Sequence, residues 1–190
     1  ALAAPVPQAV FGLHVTSQLP AGIIGTMMAW LMAAVDTLTI KVRGRQTHGA
    51  YPWRGVDPIV AAAQIVLGLQ TVVSRQLNST IGPAIVTIGS IHGGVRNNII
   101  PAEVDLVGTL RSLDAEMREE IHRRVRQTAE RIAESSGAKA EVSIASGYPI
   151  TFNDPELTGS MLPVLARVAG NANVIEIPPV LGAEDFAQPP

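Results

Sequence analysis

His48 lies between a predicted strand and a predicted helix, on a loop that can aim a side chain outward. Residues 37–43 alternate polar and apolar side chains, the period of a half-buried strand, and Gly44 ends that strand. Asp57 followed by Pro58 predicts a helix start, because Asp accepts from the first free N–H groups and Pro has none to leave unpaired. A histidine held there can donate a hydrogen bond or carry a proton. The alternative is an exposed loop histidine without a role.

His14 lies near the end of the apolar run Val10–Val15, which predicts a buried strand. Ligands of α/β folds collect beyond strand ends, because the loops there face a common crevice. His14 is therefore a candidate ligand-binding residue. The alternative is a core histidine whose ring bonds to a backbone partner.

The turn from His92 to Pro101, HGGVRNNIIP, carries a second group of polar side chains. Its glycines allow positive φ angles. Arg96 and Asn98 can hold a carboxylate or an amide, so the turn is a candidate binding site. The alternative is a plain connection between neighbouring strands. Arg111 belongs to the next predicted strand and faces away from the core.

Composition narrows the class of protein. The chain has 190 residues, a net charge of −2 and 16% charged residues, which gives no sign of nucleic-acid or anionic-membrane binding. It has no cysteine, which excludes disulfides and thiolate sites. No apolar run reaches about 18 residues, so we expect no spanning helix and a cytoplasmic protein. Both ends look cut, which predicts an internal segment of a longer chain.

The order of predicted elements from residue 37 to 146 is β-α-β-β-α-β, the order of a ferredoxin-like domain with two helices on one face of an antiparallel sheet. Its uncovered edge is available for pairing. The first helix is expected to carry Ile59, Ala62, Val66, Leu69 and Val73 on one apolar face, which Ile65 and Val72 widen, so that it is covered on more than one side. The Met and Trp residues of 19–34 are expected to fill a core. The predicted elements of the domain are strands 37–43, 85–91, 103–112 and 140–145 and helices 58–76 and 114–135; a helix at 155–168 and a strand at 173–177 follow it.

Six motifs together resemble one known family. FGLHV, GRQTHGAYP followed by VDP, GGVRNNIIP, GTLRSLD, GYPITFNDPEL and LGAEDF stand in the order seen in the peptidase family M20 amidohydrolases. The sequence is most similar to the hippurate hydrolases, N-acyl-amino-acid amidohydrolases and auxin-conjugate hydrolases. The resemblance implies an α/β protein in which residues 37–146 form a ferredoxin-like lid and dimerisation domain. Residues 1–36 and 147–190 would be pieces of an incomplete zinc-peptidase-like catalytic domain.

The resemblance also implies roles for single residues. His14 matches a ligand of a two-metal centre, with zinc, manganese, cobalt or nickel as the ion. His48 matches a lid histidine that stabilises the oxyanion in the partner subunit's active site, and Asn98 a lid asparagine that contacts the substrate. Arg111 and Glu184 match positions near the site and are expected to bind substrate. Arg96 departs from the usual pattern and is expected to alter substrate choice. The implied substrate is an N-acyl or aroyl amino acid and the implied assembly a homodimer through the lid, without nucleic acid or membrane.

The family's remaining metal ligands and its Glu-Glu base lie outside these 190 residues. The segment alone is therefore expected to hold no two-metal centre and to be inactive. A competing hypothesis is a non-catalytic ferredoxin-like module that dimerises or binds a small ligand. An RNA-binding ferredoxin-like domain is weakly supported, because the central predicted strands carry no aromatic residue for base stacking.

Overall fold

The computed structural model describes residues 8–188 and divides into two compact units. The central unit is Ala34–Gly147, and the flanking unit is formed by the residues on either side of it. In the described residues the strands are β1 Ile24–Thr26, β2 Ala29–Met32, β3 Ala34–Arg43, β4 Thr47–His48, β5 Ala84–Gly93, β6 Ile99–Ile100, β7 Glu103–Ser112, β8 Lys139–Ser146, β9 Thr151–Asn153 and β10 Val174–Glu176. The α-helices are α1 Pro58–Thr71, α2 Ala115–Ser135 and α3 Pro155–Ala169.

The central unit is a four-stranded sheet in the order β5-β7-β3-β8, with every neighbouring pair antiparallel. α1 and α2 cover one face of this sheet and pack against each other. The predicted ferredoxin-like fold is confirmed. β4 and β6 form a separate two-stranded ribbon, where the sequence predicts a loop and a turn.

The alternation in β3 explains why the sheet has one buried face. Leu38, Ile40 and Val42 are 0% exposed, whereas Thr37 and Thr39 between them are exposed. Because successive strand residues point to opposite faces, this pattern fixes the register with the neighbouring strands. β7 has the bounds that the sequence predicted, and its Leu106 joins the same core.

α1 begins where the sequence indicated, and most of its predicted apolar face is buried in the core or packed against it. Asp57 caps it by accepting from the N–H groups of Ile59 and Val60, at 2.9 and 3.3 Å. The prediction that Ile59 points inward is wrong, because this side chain is 46% exposed. Nearly every residue of the helix is apolar, so periodicity could not select a face. The most buried residues of α1 are Pro58, Ala61, Ala62, Ile65 and Leu69.

The length and apolar character of α1 bear on the expectation that no helix could span a membrane. With the π-helical turn Val72–Gln76 that continues it, the helix has 19 residues and meets the length and composition of a membrane span. Helices packed in a protein core meet the same criterion. Ala61, Ala62 and Ile65 are fully buried in the core of the central unit, which accounts for part of this apolar character.

α2 is fixed at both ends by local signals. Asp114 accepts from the N–H of Met117 at 2.7 Å, and Gly137 takes a φ of +76° just beyond the last turn. The inward face carries Met117, Ile121, Val125 and Ala129, as the period predicts. On its exposed side, Glu120 binds both Arg123 and Arg124.

A buried ionic cluster joins β3, α2 and the end of β8. Asp36 is only 2% exposed, and its carboxylate accepts from Arg118, from His122 Nε2 at 2.6 Å and from the Gly147 N–H at 3.2 Å. Burial alone would raise the pKa of Asp36. The hydrogen bonds from Arg118 and His122 outweigh burial and lower this pKa below its usual value.

The flanking unit contains two small pairs of strands, β1 with β10 and β2 with β9, together with α3. The predicted strand at Val10–Val15 is wrong, because this segment forms no strand and its apolar side chains are exposed. Among the Met and Trp residues expected in a core, Met32 is buried at 6% exposure, whereas Met28 and Trp30 are 42% and 47% exposed. Trp30 packs edge-on against Phe152 across the β2–β9 pair instead.

Candidate functional site

The central unit brings His48 and Asn98 together at one tip. β4 pairs with β6 so that His48 lies opposite Ile99. The N–H of Gly49 donates to the carbonyl oxygen of Asn98 at 2.7 Å. Gly49 suits this close approach, because a Cβ there would lie 3.2 Å from the Asn98 oxygen. Two segments separated by 50 positions in the sequence are thereby held in one local arrangement.

A backbone contact sets the tautomer of His48. The N–H of Ala50 donates to His48 Nδ1 at 3.0 Å, so Nδ1 of the neutral ring is an acceptor. The ring proton must then lie on Nε2. Because the side chain is exposed, Nε2–H is a hydrogen-bond donor accessible from solvent.

A row of stacked side chains begins at His48 and continues through Tyr51 to Trp53, and the sequence did not predict it. The Tyr51 ring lies 5.7 Å from the His48 ring and 5.7 Å from the Trp53 ring, and Arg54 stands 5.1 Å over Tyr51. Trp53 is 72% exposed. The available signal was the density of aromatic and basic residues in AYPWRG, within a chain that is only 4% aromatic.

Arg96 and Asn98 line an open cavity of about 530 Å³ next to this tip. Gln46 and Glu103 also line it. In the described residues Arg96 forms no ion pair, whereas Glu103 is already bound to Lys41 and Arg43. The cavity therefore offers a guanidinium and two amide side chains to a ligand that carries an anion and an amide.

Arg111 is not part of this tip. It lies near the opposite end of β7, where it pairs in register with Val35 and Ile85. At about 3.4 Å per residue, the eight steps from Glu103 to Arg111 span roughly 27 Å. Its side chain faces away from the core, as the sequence predicted, but the structure does not bring it to Asn98 or His48.

His14 and Glu184 meet in the flanking unit although they are 170 positions apart. His14 Nδ1 contacts Glu184 Oε2, and the two side chains are 53% and 19% exposed. The pKa of the Glu184 carboxyl is lowered, mainly by the backbone N–H of Phe186. Asp185 and His14 lower it further. Glu184 is therefore ionised at neutral pH, so Nδ1 of a neutral His14 carries the proton and Nε2 keeps a free lone pair.

This arrangement fits one ligand of a metal centre and no more. A neutral imidazole with a free Nε2 and an Nδ1–H bound to a carboxylate is the usual state of a metal-binding histidine. Among residues 8–188, no group of three His, Cys, Asp or Glu side chains is close enough to hold an ion. The described residues supply one donor to such a centre, and the other ligands would have to come from elsewhere.

Comparison with known protein families shows to which family the chain belongs. The family model described as the peptidase dimerisation domain of the M20 group matches residues 35–136, more than half of the chain. The chain belongs to the M20 peptidase family. The matched span covers nearly the whole central unit of this M20 chain.

Relatives of this M20 chain are hydrolases. It is 36% identical over 180 residues to thermostable carboxypeptidase 2 of Saccharolobus solfataricus, covering 94% of this chain and 45% of that protein. It is 38% identical over 182 residues to N-acetyl-L-cysteine deacetylase of Bacillus subtilis, covering 94% and 42%. A crystal structure of a dinuclear metal-binding M20 peptidase from Bacillus subtilis matches with a TM-score of 0.71 and 31% identity, covering 92% and 42%. The chain thus spans less than half the length of these relatives.

Proposed function

We propose that this M20 chain is part of a metal-dependent amidohydrolase that cleaves the amide bond of N-acyl or aroyl amino acids. The proposal is based on one observation: the two histidines have opposite ring tautomers. His48 presents an N–H donor, and His14 presents a lone pair. Amide hydrolysis uses one of each, a donor for the developing oxyanion and a ligand for the ion. Named relatives that remove acetyl groups from amino acids agree with this reaction.

In the proposed reaction His48 donates from Nε2 to the oxyanion as the tetrahedral intermediate forms. A donor of this kind contributes on the order of 10² to 10³ in rate. Arg96 and Asn98 bind the carboxylate and amide of the substrate in the open cavity beside it. Bound divalent ions, zinc, manganese, cobalt or nickel, supply Lewis-acid activation of the water and of the scissile carbonyl. His14 holds one of these ions through Nε2. The cytoplasmic location expected from the sequence stays a prediction.

The test uses protein made from the complete reading frame and follows release of amino acid from N-acetyl and N-benzoyl substrates with added divalent metal. His48→Ala should reduce kcat about 10²-fold or more and leave the metal content unchanged. Arg131→Ala is the control, because Arg131 is 73% exposed on α2 and pairs only with Glu134. Turnover at the wild-type level in His48→Ala would overturn the oxyanion role. Absence of hydrolysis with every substrate and metal would favour the non-catalytic dimerising module instead.

We also propose that the central unit forms a homodimer through α1 and the edge strand β5. α1 packs on the half of the sheet that contains β5 and β7. Its outer side exposes Val60 and Leu67, at 52% and 71%. β5 pairs only with β7 among the described residues, so its outer edge has free backbone groups for a second copy. The family description, a peptidase dimerisation domain, supports this assembly.

Sedimentation velocity of the purified chain tests the dimer. The wild type should sediment at twice the 20.0 kDa of one chain. Leu67→Glu should shift the population to monomer, because a charge would be buried in the contact. Ala145→Glu, on the opposite edge strand β8, is the matched control and should stay dimeric. A wild-type monomer at 100 µM, or equal dissociation of both variants, would contradict the proposed surface.

A further inference from the structure

Glu184 has both carboxylate oxygens committed, which leaves it poorly placed to bind a substrate. Oε1 accepts from the N–H of Phe186 at 3.2 Å, as the cap of the short 3₁₀ turn Asp185–Ala187. Oε2 contacts Nδ1 of His14. One oxygen therefore fixes the carboxylate to its own backbone, and the other holds the imidazole.

Packing of the Phe186 ring on Gly12 independently supports the contact between the segments of His14 and Glu184. Phe186 lies against Gly12, and a Cβ added at Gly12 would meet the Phe186 ring at 3.2 Å. The ring can approach this closely because residue 12 has no side chain. Gly12 is two residues before His14, and Phe186 is two residues after Glu184. The two loops thus touch at two points, one apolar and one ionic.

We propose that Glu184 is the positioning residue of His14: it accepts a hydrogen bond from Nδ1–H, fixes the ring orientation and leaves Nε2 as the atom that binds the metal. This inference rests on the proposed function and deepens it. It gives Glu184 a role different from the substrate-binding role expected by resemblance. A carboxylate behind a ligating histidine raises the basicity of the ligand and restricts its rotation. Glu184 acts through His14 and does not itself touch substrate or ion.

The first readout requires no metal and no activity. Long-range ¹H–¹⁵N NMR at pH 8 reports which ring nitrogen carries the proton, and the chain has only four histidines to assign. We expect the Nδ1–H form for His14 and the Nε2–H form for His48. Glu184→Ala should move His14 to the Nε2–H form, which free histidine prefers in water. Glu184→Gln keeps an acceptor oxygen and should retain the Nδ1–H form, and Glu176→Ala is a control carboxylate in β10.

The second readout is metal affinity of protein made from the complete reading frame, measured by competition with a zinc chelator. Glu184→Ala should weaken zinc binding 10- to 100-fold, Glu184→Gln should weaken it less, and Glu176→Ala should leave it unchanged. An Nε2–H form of His14 in the metal-free wild type, or unchanged zinc affinity in Glu184→Ala, would overturn the positioning role. If zinc fails to shift the His14 Nε2 signal in wild type, the ligand role itself fails, and with it the proposed metal site.

Discussion

Replacement of Asp36 tests whether the buried ionic cluster stabilises the central unit. Asp36→Ala removes a carboxylate that is 2% exposed and leaves Arg118 and His122 without their partner. Removing one member of a buried ion pair costs about 3–5 kcal/mol, because the remaining charge stays buried. Arg118 and His122 are 18% and 16% exposed, so water reaches them in part. We therefore expect the lower end of that range, about 3 kcal/mol.

Amide hydrogen exchange of the β3 residues is the appropriate measurement, because it reports the opening of the central unit separately from the flanking unit. A double-mutant cycle with Arg118→Ala should give a coupling of about 2 kcal/mol. Arg123→Ala is the control arginine, since Arg123 lies on the exposed side of α2 and binds Glu120. A loss below about 1 kcal/mol for Asp36→Ala, or additive effects in the cycle, would refute the reasoning.

The same cluster predicts a pH dependence with a definite sign. The pKa of Asp36 is lower in the folded chain than its ordinary value of 3.8. Its contribution is therefore complete above pH 3.8 and is lost as the pH falls through the lower folded pKa. The stability difference between wild type and Asp36→Asn should shrink as the pH falls below 3.8. A difference that grows on acidification would contradict the assigned direction.

Further predictions concern the core and a helix cap, all measured as the free energy of unfolding in urea. Gly108→Ala should cost at least about 2 kcal/mol by overpacking, because its Cβ would lie 2.1 Å from the Thr87 carbonyl oxygen. Gly89→Ala meets nothing nearer than 3.8 Å and should stay within about 0.5 kcal/mol of wild type; equal losses in both variants would contradict the packing argument. Leu106→Ala, at a fully buried position, should cost about 3 kcal/mol. Asp57→Ala should cost about 1 kcal/mol, and no loss would show that the cap is dispensable.

The fold of the central unit could be predicted because its signals are local. The alternation in β3, the cap at Asp57 and the stop at Gly137 each act within a few residues. The prediction of a strand at Val10–Val15 failed, because apolar content alone does not provide a neighbouring strand to pair with. Whether the side chains of this segment are buried depends on what covers it. On α1 the prediction failed only for Ile59, which is 46% exposed. Because nearly every residue of this helix is apolar, the sequence pattern could not exclude Ile59 from the buried face.

For the candidate site too, the sequence predicted some features and not others. Sequence and resemblance singled out His48 and His14, but the tautomer of each ring depends on a neighbour that no motif reveals. For His48 this neighbour is the N–H of Ala50, only two residues away. For His14 it is Glu184, across the whole central unit.

The two histidines therefore depend on the central unit in different ways. His48 lies within that unit, and the contact that sets its donor state comes from Ala50 in the same loop. The contact of His14 with Glu184 joins two segments that are connected only through Ala34–Gly147. That unit brings its own ends together, since the Gly147 N–H donates to the Val35 carbonyl at 3.0 Å and Asp36 holds the same N–H. Closing a loop of this length costs about 4 kcal/mol in chain entropy. Once the central unit has folded, that cost is already met, so the Asp36 cluster supports the His14–Glu184 contact without touching it.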